Sequence, residues 1–125
     1  MKLINSSYKI VEQQPGINGI YQAIESAGRT CYKSSDKITE TSAKDFVDRM
    51  VNSGHGAMLE FGTVYLKIRG NESKGSDIFD RYHHNIYSKT MIYDNCLYIS
   101  SNYRVLIKNE WLDDLKYLCE PTEFH

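Results

Sequence analysis

Apolar residues recur at helical spacing in four stretches of this chain and alternate in one. Ile17, Ile20, Tyr21, Ile24 and Ala27 mark the face of a first helix, which Pro15-Gly16 precedes and Gly28 is expected to close. Ala43, Phe46, Val47, Met50 and Val51 mark a second helix. Ser42, with Asp45 three residues on, has the acidic form of a capping signature, and Gly54 supplies a stop. Ile78, Phe79, Tyr82 and Ile86 mark a third helix, and Trp111, Leu112, Leu115, Leu118 and Cys119 a fourth that Pro121 ends. Val64, Leu66 and Ile68 alternate with Thr63, Tyr65 and Lys67, the pattern of a half-buried strand.

The remaining stretches are less periodic. Leu3 to Gln13 is a strand or extended arm, and Cys96 to Ser100 a short strand. Asn102 caps a segment from Tyr103 to Ile107 if that run is helical, but the run also fits an extended form. Arg29 to Ser34 reads as a polar connector, Ser35 to Thr39 as a loop and Gly70 to Gly75 as a solvent loop. This order predicts an α+β fold, a small sheet packed by amphipathic helices. A length of 125 residues fits one domain.

Composition narrows the function classes. The chain has 15 basic and 16 acidic residues, so no strong charge points to nucleic acid or a membrane surface. The segment after Met1 turns polar at once, and no run approaches the roughly 20 apolar residues of a membrane span. The expected location is cytoplasmic. Cys31, Cys96 and Cys119 form no C-x-x-C pair, and His83-His84 lacks the i, i+4 spacing of a helical metal pair, so no metal site is expected. Ten tyrosines are the one unusual count; their apolar rings and polar tips suit half-buried faces and interfaces.

Ser53-Gly54-His55-Gly56-Ala57-Met58-Leu59-Glu60 carries the most specific chemistry. Two glycines bracket a histidine, and a short helical turn with a carboxylate follows. Unpaired amides at such a start can hold a phosphate or an electron-rich ring, with Glu60 orienting His55 or bonding a ribose hydroxyl. The same residues also fit a plain helix-to-helix turn whose histidine caps carbonyls. Arg29 and Lys33 could bring positive charge to an anion, or simply be solvated; Cys31 has no Cys-His motif to activate it.

Taken together, the run Ala27-Gly28-Arg29-Thr30-Cys31-Tyr32-Lys33-Ser34, then Phe46 to Met50, then Ser53 to Glu60, then the strand Thr63 to Ile68, resembles the N-terminal part of the flavin-dependent thymidylate synthases. The resemblance covers about residues 1–70; residues 71–125 look like an insertion carried by some members. It implies methylation of dUMP to dTMP, with methylenetetrahydrofolate as carbon donor and FAD relaying a hydride from NADPH. It also implies a homotetramer with sites built from several subunits and no cysteine nucleophile. By the same resemblance His55 lies beside the flavin, the turn with Gly56, Ala57 and Glu60 contacts it, and Cys31 stands near it.

The chain departs from that family in one large respect. The family's Arg-His-Arg signature, with a serine several residues later, gathers flavin and dUMP and is missing here. Arg81-Tyr82-His83-His84-Asn85-Ile86-Tyr87-Ser88 is the nearest imitation and lacks the spacing. Phe61 stands where histidine is common, and Ala57 where a hydroxyl residue is common. Each missing charge-assisted bond to a phosphate is worth on the order of 1.5–3 kcal/mol, so losing several abolishes useful dUMP affinity. The expectation is therefore a truncated or divergent homologue, inactive alone, that keeps one wall of a flavin pocket. The alternative is an oligomerisation or binding module whose surface is rich in Tyr32, Tyr65, Tyr82, Tyr87 and Tyr103.

Overall fold

Val64, Leu66 and Ile68 point into the core from β3 (Thr63–Arg69), while Tyr65 and Lys67 are half-buried on the other face. A strand with this alternation needs a partner that alternates in step. β5 (Cys96–Asn102) is that partner: it runs antiparallel, setting Leu66 opposite Ile99 and Ile68 opposite Leu97. β4 (Lys89–Tyr93) pairs with the other edge of β5, giving a three-stranded sheet in the order β3-β5-β4. This computed structural model describes residues 2–4, 10–54, 56–70 and 75–120. The α+β expectation holds.

A separate antiparallel pair joins β1 (Lys2–Ile4) to β2 (Ile10–Glu12). The Gln13 side chain after β2 then behaves like a strand neighbour: its amide donates to the Thr63 carbonyl at 2.7 Å and accepts from the Thr63 N–H at 2.9 Å. The outer edge of β3 is covered further along, where the Cys119 N–H donates to the Tyr65 carbonyl at 2.9 Å. No such cover protects β4 among the described residues.

Helices α1 (Gly16–Cys31) and α2 (Ser42–Asn52) pack on each other. Ile20, Ile24, Phe46, Val47 and Met50 join the strand residues in one apolar cluster. The first helix does not stop at Gly28. It runs three residues further, because Gly28 faces the Phe46 ring and serves as a packing position. Arg29 is consequently not in a polar connector. It is buried beside Phe46, its guanidinium 4.8 Å from the ring centre, and donates to buried Glu25 at 2.8 Å. The expected capping signature is also absent: the Ser42 hydroxyl accepts from the Thr39 N–H instead. Gly54 does end α2 as expected, in a left-handed conformation.

The second half of the chain supplies the rest of the core. α4 (Gly75–His83) buries Ile78 and Tyr82 but ends before Ile86, which is 86% exposed. The Asp94-Asn95 turn, with both residues at positive φ, folds β4 back onto β5. Asn102 caps α5 (Tyr103–Asn109), accepting from the Val105 N–H at 3.1 Å, which settles that run as helical. The last apolar face forms a 3₁₀ helix, Leu112–Tyr117, rather than an α-helix. Its buried Asp114 accepts from the Tyr82 hydroxyl at 2.8 Å and from Arg81 at 3.0 Å. Among the described residues, no helix is long and apolar enough to cross a membrane.

Candidate functional site

The glycine-rich turn after α2 leads into α3 (Gly56–Leu59), a single turn whose end carries Glu60. Leu59 is its buried anchor, and the Gly62 carbonyl that follows accepts from the Tyr103 N–H at 2.8 Å. That bond brings the start of α5 against α3. Arg104 completes the junction. Its Nη1 donates to Glu60 Oε2 at 2.9 Å, and its guanidinium lies over Gly56 so closely that a Cβ there would stand 3.2 Å from Nε. Gly56 is thus the residue that lets an arginine lie flat against the turn.

Beside this junction lies a cleft of about 230 Å³, lined by Glu60, Asn85, Tyr87, Arg104 and Lys108 together with the N-cap Asn102 and the last residue of α5, Asn109. Its far wall is the loop after α4. Asn85 Oδ1 accepts from the Tyr87 N–H at 3.0 Å and the Ser88 hydroxyl at 2.9 Å, and Ser88 in turn meets the Ser101 hydroxyl on β5 at 2.8 Å. The cleft therefore joins Glu60 to three elements of the 71–125 segment.

Of the residues singled out from the sequence, Gly56 and Glu60 meet at this junction through Arg104. Ala57 is exposed on α3. Cys31 is exposed at the end of α1 and does not line the cleft. His55 lies outside the described residues. Arg29 is absorbed in its buried ion pair, so it is not a mobile cation for a ligand. His83 stacks on Phe79 at 4.8 Å, and His84 bonds the Asp80 carbonyl through Nδ1 at 2.8 Å. Among the described residues, no three metal-ligating side chains stand together. Arg81, the head of the Arg-His-Arg imitation, is engaged with Asp114 and Trp111. The tyrosine face expected from composition is divided: Tyr82 and Tyr103 are core residues, whereas Tyr32 and Tyr87 are exposed. Burial pushes both core hydroxyls well above the usual tyrosine range, for Tyr82 with the Asp114 hydrogen bond adding to it.

Arg104 and Lys108 were not singled out from the sequence. They sit in a run read through its apolar members, Tyr103, Val105 and Leu106. The available signal was the i, i+4 pairing of two cations behind a good N-cap, which places both on one helix face.

No protein-family model matches the chain, and no solved structure matches it significantly. Curated relatives do match. A flavin-dependent thymidylate synthase of Corynebacterium aurimucosum is 35% identical over 68 residues, which are 53% of this chain and 27% of that protein. A flavin-dependent thymidylate synthase of Corynebacterium glutamicum is 28% identical over 81 residues, 63% of this chain and 32% of that protein. The chain thus matches under a third of the length of either relative, and these partial similarities point to a relation with the flavin-dependent thymidylate synthases.

Proposed function

We propose that this chain forms one wall of a flavin or nucleotide site related to that of the flavin-dependent thymidylate synthases. The observation that carries the reading is the 35% identity over 68 residues to such an enzyme. The junction of Gly56, Glu60 and Arg104, with its exposed ion pair beside a cleft, supports the reading. In the family the resemblance implies, FAD supplies hydride relay from NADPH, and methylenetetrahydrofolate supplies the carbon for dUMP. The cleft is too small for a whole dinucleotide, since pockets for complete ligands run to roughly 300–1,000 Å³. Its donors fit the sugar-phosphate part of one. The Arg-His-Arg segment is not among these 125 residues, so by themselves they bind without turning over.

Titrating the chain with FAD, followed by the visible flavin spectrum and its fluorescence, tests this. Saturable binding that His55→Ala weakens supports the reading. Absence of binding to FAD and to dUMP overturns it, and dTMP formation by the chain alone overturns its inactive half.

A second reading, self-association, is favoured by β4. This edge strand exposes Met91, Ile92 and Tyr93, with Ile92 70% exposed, next to equally exposed Ile86 and Tyr87. The two-residue turn makes Tyr93 and Cys96 a hydrogen-bonded pair, so the N–H and C=O groups of Thr90 and Ile92 face the open edge. A second copy running antiparallel about Met91 sets each Thr90 opposite the partner's Ile92 and satisfies all of these groups. It also sets Lys89 against the partner's Tyr93. Light scattering should then show a dimer at micromolar concentration that Ile92→Lys converts to monomer; a wild-type monomer removes this reading.

A further inference from the structure

We propose that the cleft between α5 and the loop after α4, with Glu60 at its edge, is an anion subsite for the phosphate end of a nucleotide-type ligand. Arg104 and Lys108 hold the phosphate, and Glu60 is an internal counter-ion that the phosphate displaces. The proposal deepens the nucleotide-site reading and rests on it for the kind of ligand, while the anion chemistry follows from the cleft itself.

Donors outnumber acceptors in the lining, although Asn109, its Nδ2 spent on the Val105 carbonyl at 2.8 Å, can offer its Oδ1. Arg104 commits one N–H to Glu60 and has no second acceptor among the described residues. Lys108 has no ion-pair partner among them. Asn102 uses its Oδ1 to cap α5, and Asn85 uses its Oδ1 on Tyr87 and Ser88. Those bonds fix both amides with Nδ2 left as the donor, and neither Nδ2 has an acceptor among the described residues. Against these donors Glu60 is the only carboxylate lining the cleft among the described residues. An acceptor-rich dianion is the ligand such a surface lacks.

The charges are also arranged to be released. Arg104 and Lys108 lie one turn apart on α5, where like charges repel. Glu60 relieves that repulsion for Arg104 alone. The Arg104–Glu60 pair is 42% and 43% exposed, and ion pairs at such exposure are weak. A phosphate bridging both cations offers Arg104 a bidentate partner and gives Lys108 the counter-ion it is missing. Tyr87, 66% exposed at the rim, is placed to cover the sugar or ring that leads out of the cleft. At about 230 Å³ the cleft takes a phosphate and its sugar, with the remainder of the ligand outside.

Calorimetric titration with inorganic pyrophosphate, dUMP, FAD and riboflavin tests the assignment on wild type, Arg104→Gln, Lys108→Gln and Glu60→Gln. Wild type should bind the phosphate-bearing probes and weaken as salt is raised. Arg104→Gln and Lys108→Gln should each weaken binding by about tenfold. Glu60→Gln should tighten it, the opposite of what a merely structural ion pair would give. Lys108 is exposed, so its variant reads the subsite even if Arg104→Gln fails to fold. Flavin binding that persists unchanged in both cation variants, and equally for riboflavin, overturns the subsite and leaves the flavin reading standing. Pyrophosphate and dUMP binding that needs both cations, with neither flavin bound, supports the subsite and removes the flavin. No saturable binding of pyrophosphate, dUMP or FAD overturns it outright.

Discussion

Asp114→Ala should lower the unfolding free energy by about 3 kcal/mol, read from denaturant melts. Asp114 is buried, 4% exposed, and takes two hydrogen bonds on one oxygen, from the Tyr82 hydroxyl and from Arg81. Removing it leaves the Tyr82 hydroxyl buried without a partner. Arg81, a third exposed, can turn to water and so adds less. The loss should be cooperative, because Tyr82 and Arg81 also contact Trp111 at the start of the terminal 3₁₀ helix. Asp114→Asn keeps an acceptor for Tyr82 and should cost about half as much. The same cluster sets an alkaline limit. The folded state holds the Tyr82 proton more tightly than the unfolded chain, by burial first and the Asp114 bond second. Its contribution is therefore complete below the ordinary tyrosine pKa of about 10 and is lost as pH rises beyond it. Tyr82→Phe should flatten that alkaline decline even while it weakens the protein at neutral pH. A loss under about 1 kcal/mol for Asp114→Ala would mean that water replaces the carboxylate.

What the sequence disclosed depended on whether periodicity and burial coincided. β3 was legible because Val64, Leu66 and Ile68 alternate and are all buried. The second helix was legible for the same reason at a different period. β4 was not, because Lys89 to Tyr93 is exposed on both faces and has no apolar alternation to detect, and the Asp94-Asn95 turn that ends it was not singled out from the sequence. The candidate site divided along similar lines. Gly56 and Glu60 stood out through local turn chemistry, and the structure gives them a shared partner. Arg104 lies 44 residues from Glu60, and no local pattern specifies a pairing at that separation. Arg29 misled in the other direction. Its flanking polar residues suggested solvent, yet it lies four residues after Glu25 on a helix, the spacing that allowed both to be buried as a pair.

Gly28 makes the same point as a measurable reversal of sign. In an exposed helix interior, glycine to alanine stabilises by about 1 kcal/mol. A sequence reading that ends α1 at Gly28 expects glycine to be preferred for backbone reasons. Neither account fits the structure. Gly28 is inside α1, and it has no positive φ. What it lacks is space: a Cβ would stand 2.5 Å from Cζ and 2.7 Å from Cε1 of Phe46. Phe46 cannot retreat freely, being 3% exposed and flanked by the guanidiniums of Arg29 and Arg49. The added methyl must therefore separate α1 from α2 or force the ring off its rotamer. Overpacking of this kind costs about 1–3 kcal/mol, and with a contact this close the upper half of that range applies, so after the return of about 1 kcal/mol from helical preference Gly28→Ala should destabilise by about 1–2 kcal/mol net. Phe46→Leu supplies the control. It costs stability by itself through the cavity it opens, but in its presence Gly28→Ala should become neutral or stabilising, because the clash is gone and the helical preference remains. A double-mutant cycle that instead gives additive losses would place the cost of Gly28→Ala in the backbone of α1 and not in its contact with Phe46.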